Sequence, residues 1–211
     1  MKALSIETAV NTPLVQILES EVFMRRSIED LCLAKGMRSR SFDDEAELLA
    51  HDAGPASSCI IINAQVRNAF GFGLHDTLKQ LGRRTPVIYV SDVASVSVGV
   101  HAMKAGAFDF LLKPFNARKA VAAIERAIAF DTKQKANDVA LGKLRDCASR
   151  LTPRESEVLD FVARGLMNKQ IAFEMGISEI MVKLHRGRMM RKMDAPNVVD
   201  LIRKYDRLAA S

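Results

Sequence analysis

The side chains best suited to chemistry form one basic run, Lys183-Leu184-His185-Arg186-Gly187-Arg188-Met189-Met190-Arg191-Lys192, with five Lys/Arg and no acidic residue. On a helix, Val182, Met189 and Met193 share a core-facing stripe with His185 packed at its edge. Lys183, Leu184, Arg186, Gly187 and Arg188 turn outward. Such a helix fits the major groove of double-stranded DNA, where Arg and Lys donate to guanine or phosphate and Leu184 can touch a thymine methyl. Arg186, Arg188 and Arg191 suit phosphates. Lys169, at the start of the preceding helix, is a further phosphate candidate aided by the positive helix end. A basic face taken alone is as often merely solvated, so the reading depends on the elements that carry it.

No other chemistry competes. There is no paired-carboxylate, Cys/His or Ser/His/Asp arrangement and no phosphate-cradling Gly-rich loop, which points away from an enzyme. His51, His75 and His101 lack ligand-like spacing, so neither metal nor cofactor is expected. The three cysteines give no disulfide framework or zinc site. Cys32 and Cys59 lie in apolar segments and read as core, which leaves Cys147 as the candidate for redox control.

The elements around the basic run are helical. Thr152-Pro153-Arg154-Glu155 is a helix start with a capping box, followed by Val158, Leu159, Val162 and Leu166 and a stop at Gly165. Asn168 is positioned to cap a second helix bearing Ile171, Ala172 and Met175. Gly176-Ile177-Ser178 makes a tight turn, Ser178 caps a third helix to about Met193, and residues 197–208 form a fourth. Two helices, a short Gly turn and a basic helix constitute a helix-turn-helix.

The first 130 residues alternate strand and helix signals. Strands read at Pro13–Leu18, Met37–Phe42, Cys59–Ile62, Pro86–Val90 and Phe108–Leu112. Helices read at Val22–Lys35, from Asp43-Asp44 to His51, at Gly73–Arg83, at Val96–Lys104, and after Asn116 with Val121, Ile124 and Ile128 inward. The fold class is therefore α/β, a (βα)5 doubly wound parallel sheet, plus an all-α four-helix domain. Residues 1–130 make the first domain, 131–150 a helical linker extending the fifth helix, and 151–211 the second domain.

At 211 residues the chain can bury two small cores, and 48% hydrophobic with 27% charged residues is ordinary for a globular protein. No apolar run approaches a membrane span, and Met1–Val10 makes a poor signal peptide, so a cytoplasmic location is expected. The net charge of +6 is uneven: residues 1–130 hold 15 basic and 14 acidic side chains, residues 151–211 hold 11 and 8. The excess concentrates in one helix, which indicates a polyanion partner.

Leu151-Thr-Pro-Arg-Glu-Ser-Glu-Val-Leu159, Ala163-Arg-Gly-Leu-Met-Asn-Lys-Gln-Ile-Ala172 and Gly176-Ile-Ser-Glu-Ile-Met-Val-Lys-Leu-His-Arg186 together resemble the LuxR-type helix-turn-helix. The resemblance implies that Lys183, Leu184 and Gly187 read bases. Met181 stands where that family usually has Thr, and Gly187 where a longer polar residue is common; set against the family, these departures imply one phosphate contact fewer and a reduced sequence reading.

Val100-His-Ala-Met-Lys-Ala-Gly-Ala-Phe-Asp-Phe-Leu-Leu-Lys-Pro-Phe115 resembles the receiver domain of response regulators in the NarL/FixJ family. The resemblance implies a cis Lys113-Pro114 bond and a pocket at the strand ends. There an acidic pair would hold Mg²⁺, an aspartate would accept phosphate, and a Ser/Thr and a Lys would contact it. The corresponding residues are Glu19-Ser20, Asn63, Ser91 and Lys113. Glu21 is able to stand in for the acid lost at Ser20. A neutral amide at 63 is neither a comparable nucleophile nor a good hard-metal ligand. Arg67 replaces the family's usual proline; a solvent-exposed side chain is the simpler reading, and an electrostatic substitute for the metal is the alternative. Phe110 occupies the aromatic switch position.

These readings describe an atypical, degenerate-receiver transcription regulator that binds promoter half-sites as a homodimer, independently of aspartyl phosphorylation, with the receiver-like domain a candidate surface for a protein partner. The alternatives are a phospho-switched regulator using an unusual acceptor such as Ser20 or Asp92, and a protein that sequesters another regulator.

Overall fold

A computed structural model describes residues 12–65, 72–92 and 96–210. Met1–Val10, Arg67 and most of the Asn68–Gly73 loop lie outside the described residues. The chain divides into two compact units, residues 1–135 and 136–211.

The first unit is a five-stranded sheet built from β1 (Leu14–Leu18), β2 (Arg38–Phe42), β3 (Ser58–Asn63), β4 (Val87–Ser91) and β5 (Asp109–Leu112). The order is β2-β1-β3-β4-β5, and all pairings are parallel. The intervening helices are α1 (Val22–Ala34), α2 (Glu45–Ala50), α3 (Phe72–Gln80) and α4 (Val96–Ala105), and α5 (Ala117–Ser149) follows β5. Because side chains alternate across a strand, the apolar runs feed two cores. Val15, Ile17, Cys59, Ile61, Ile88 and Val90 pack with Ile28 and Cys32 of α1 and Ile124 of α5. Leu18, Ile60, Ile62, Val87 and Tyr89 pack with Leu48, Leu74, Leu78 and Ala102 on the other face. Burial raises the Cys32 thiol to about 11 and pushes the Cys59 thiol well above its ordinary range, so both stay protonated.

Two buried polar ties set how far this unit extends. Asp131 on α5 accepts the Ser58 N–H through Oδ2 at 2.7 Å and pairs with Lys135 at 3.2 Å. Lys135 also donates to the Ala56 carbonyl at 2.5 Å. α5 runs unbroken through most of the segment read as a linker, and its residues up to Lys135 bond to the start of β3.

The second unit contains α6 (Pro153–Ala163), α7 (Asn168–Met175), α8 (Glu179–Lys192) and α9 (Val198–Ala209). Their core gathers Val158, Val162, Ile171, Val182, Met189, Met193 and Leu201, with Leu144 and half-buried Cys147. The Thr152 capping box is present. Ser178 and Asn197 cap α8 and α9 through bonds from Met181 and Asp200 N–H. The start of α7 differs from expectation: Met167, not Asn168, is the N-cap. The Met167 N–H donates to Gln170 Oε1 at 2.8 Å, a half capping box that leaves the Asn168 side chain free for another contact. Gly176 closes α7 at φ 64°, a left-handed conformation that favours glycine and turns the chain into α8.

Candidate functional site: a strand-end pocket and a basic helix

In a sheet ordered 2-1-3-4-5, the crossovers leave β1 and β3 toward opposite faces, which opens a crevice beyond their carboxyl ends. Leu18 and Ile62 are register partners, so Glu19 and Asn63 emerge side by side into that crevice. Asn63 Nδ2 donates to Glu19 Oε1 at 2.8 Å. The Glu21 N–H donates to the same oxygen at 3.0 Å. Lys113, following β5, places Nζ 2.7 Å from Glu19 Oε2. Glu19, Asn63 and Lys113 are all buried, with Glu19 only 1% exposed. The Glu21 and Asp92 carboxylates approach Lys113 Nζ at 3.4 and 3.9 Å, so Glu21 does reach the pocket. Asn63 Oδ1 accepts the Gln65 N–H at 3.0 Å.

Ser91 is buried at the end of β4, and its carbonyl accepts the Lys113 N–H at 2.8 Å. Lys113-Pro114 is cis. Ser20 is exposed and stands outside the network. Phe110 is half-buried on the β4–β5 side and packs against the core. A Cβ built on Gly99 of α4 would lie 3.8 Å from its ring.

A divalent cation does not fit the buried donors Glu19 and Asn63. Both Glu19 oxygens are engaged, one by two N–H donors and the other by an ammonium. Asn63 contributes a neutral amide whose oxygen already accepts a backbone bond. A cation drawn to the carboxylates would have to displace the buried Lys113 charge. Among the described residues, no group of three or more His, Cys, Asp or Glu is arranged to hold a metal.

In the helical unit the basic run divides. Lys183, Leu184, Gly187, Arg188 and Arg191 are exposed on α8, and Lys169 is exposed on the first turn of α7. Val182 and Met189 are fully buried on the opposite side, and His185 is half-buried between the two faces. Arg186 is half-buried and donates to Asn168 Oδ1 at 2.8 Å, which ties α8 to the start of α7. Lys192 is half-buried and turned inward: its Nζ lies 2.5 Å from Oε2 of the buried Glu155. Hydrogen bonds from Lys192 and then from the Thr152 backbone hold the Glu155 carboxyl at about 2, well below the carboxylate range. Sequence reading captured Glu155 as a capping residue but not its partner 37 positions away, because no helical or strand period links the two.

Residues 15–125 match the family described as the response regulator receiver domain, and residues 149–205 match the bacterial regulatory proteins of the luxR family. Nodulation protein W of Bradyrhizobium diazoefficiens is 34% identical over 94% of this chain and 87% of its own length. The C4-dicarboxylate transport transcriptional regulatory protein DctR of Rhodobacter capsulatus is 36% identical over 90% of this chain and 97% of its own. Among solved structures, the response regulator StyR superposes with a TM-score of 0.80 at 29% identity, covering 93% of this chain and 99% of that one. Full-length FixJ from B. japonicum gives 0.56 at 27%, covering 95% and 99%.

Proposed function

This chain belongs to the response regulators that join a receiver domain to a LuxR-family DNA-binding domain and is a transcription regulator, and on that basis we propose that it works without an aspartyl phosphate. The observation that carries the proposal is the Asn63 amide at the end of β3, donating to a Glu19 carboxylate already paired with Lys113. An amide cannot form an acyl phosphate, and the nearby ammonium balances the charge that a metal would otherwise neutralise. Lys113 thus holds the strand-end pocket closed as an internal cation. The receiver acts as a fixed scaffold or as a surface for a protein partner, rather than as a phosphate-driven switch.

DNA recognition falls to α8. Lys183, Leu184 and Gly187 face the base edges; Arg188, Arg191 and Lys169 contact phosphates. Arg186 is oriented by Asn168 to do the same with its remaining donors. Reading by one short helix limits specificity, so the regulator binds paired half-sites as a homodimer.

The test is intact-mass measurement of the full-length protein and of Asn63→Asp after incubation with acetyl phosphate and Mg²⁺. Incorporation of one phosphoryl group by the variant alone supports the proposal. Stoichiometric incorporation by the native chain, abolished by Ser20→Ala or Asp92→Asn, overturns it in favour of an unusual acceptor.

A further inference from the structure

At the end of the sheet opposite the strand-end pocket, where β4 and β5 begin, lies a cleft of about 630 Å³. That volume falls within the range of small-molecule sites. One wall comes from α3 and the turn after it, with His75, Lys79, Arg83 and Arg84; the other is Phe108 before β5 with Phe130 and Gln134 of α5. None of the described residues lining it is acidic, although Asp76 neighbours His75 on α3. Arg83 is partly committed elsewhere, donating to the Leu48 and Leu49 carbonyls at 3.3 and 3.0 Å.

Two features make this more than a basic surface. His75 is only 7% exposed, and its Nδ1 is buried with no hydrogen-bond partner, a costly state for an imidazole. Burial, and then the Lys79 charge, hold its pKa below the ordinary value, so near neutral pH it carries one donor and one acceptor nitrogen. Gly106, at φ 97°, lacks the side chain that would meet His75 and Lys79 where they converge. A Cβ there would sit 3.0 Å from Lys79 Nζ and 3.1 Å from His75 Nε2. Lys79 uses one of its three donors on the Ala105 carbonyl at 2.7 Å.

The opposite wall is aromatic apart from Gln134, which donates to the Arg84 carbonyl at 3.3 Å. The Phe108 and Phe130 rings pack with centroids 5.3 Å apart, yet Phe130 stays 46% exposed beside the cleft. Donors and cations on one side and an uncovered aromatic ring on the other are complementary to one kind of ligand.

We infer that this cleft binds a small organic carboxylate with an apolar ring, the carboxylate meeting Lys79 and the ring lying on Phe130. A ligand there touches α3, β5 and α5 of the receiver and needs none of the residues of the strand-end pocket.

The experiment is titration of the full-length protein with benzoate, read by calorimetry and by amide chemical shifts. Benzyl alcohol and inorganic phosphate supply the ring and the anion separately. Saturable benzoate binding that shifts Gly82, Gly106 and Phe108 is expected. Lys79→Gln should weaken it about tenfold, the scale of a lost charge-assisted bond. Phe130→Ser, at a half-exposed position, should weaken benzoate without affecting phosphate. Benzoate that leaves these amides unmoved overturns the inference. So does benzyl alcohol binding as tightly, or phosphate reproducing the same shifts at the same affinity.

Discussion

Replacing Asn63 with aspartate exchanges the N–H that bonds Glu19 at 2.8 Å for a second negative oxygen. Two carboxylates with charge centres about 4 Å apart repel by about 4 kcal/mol at an effective dielectric near 20. The lost amide–carboxylate bond adds about 1.5 kcal/mol or more. Lys113, at 2.7 Å from Glu19, returns part of this by sharing its charge with the newcomer, which leaves a net loss of about 2–3 kcal/mol. For a domain of this size that lowers Tm by about 8–12 °C at pH 7.5 in a metal chelator. The sign with pH follows from linkage. Repulsion raises a carboxyl pKa of the folded pair, so the native state holds a proton that the unfolded chain releases. The variant's deficit therefore grows as pH rises through that raised pKa and vanishes below the ordinary carboxyl range. With three carboxylates restored, Mg²⁺ should recover several degrees in N63D and none in the native protein. The assay is differential scanning fluorimetry of both proteins across pH 5–8, with and without Mg²⁺. An N63D protein as stable as the native one without metal, or equal Mg²⁺ stabilisation of both, would refute the closed-pocket reasoning.

Asp131→Ala removes the acceptor of the buried Ser58 N–H and the partner of Lys135, so urea unfolding of the receiver unit should lose about 2–3 kcal/mol. The depressed Glu155 pKa stabilises the helical unit above the ordinary carboxylate range, and that contribution is lost as pH falls toward about 2. Helical circular dichroism should show this acid transition weakened in Glu155→Gln. Lys183→Ala and Arg188→Ala lie at exposed α8 positions; each should leave Tm unchanged. Arg188→Ala should reduce the slope of log affinity against log salt by about one, and Lys183→Ala should relax base preference at one position of the half-site.

Much of the fold was legible because its signals are local. Cys59–Ile62 is an unbroken apolar run and proves to be a strand buried on both faces. Thr152 and Ser178 are caps because a side-chain oxygen three residues before a backbone N–H is a short-range geometry that sequence displays directly. Asn168 misled because its type suits an N-cap, whereas Gln170 fixes the helix start at Met167; a Gln three residues after an apolar residue was the available signal. The pocket residues were legible only through resemblance, since parallel pairing is what brings Glu19, Asn63 and Lys113 together from three strands. The pairing of Lys192 with Glu155 and of Asp131 with the start of β3 is long-range and polar, and no hydrophobic period encodes it. Among the described residues, no helix is long and apolar enough to cross a membrane.

The most direct test measures the affinity of the native full-length protein for a DNA fragment selected by the protein itself, with and without beryllofluoride and Mg²⁺. Affinities that agree within about twofold are the expected result, because on the proposed reading the pocket offers the phosphoryl mimic no differential interaction to shift the protein. A tightening of about tenfold, corresponding to a coupling of about 1.4 kcal/mol, would contradict the claim that Asn63 and Lys113 have closed the site to phosphate control.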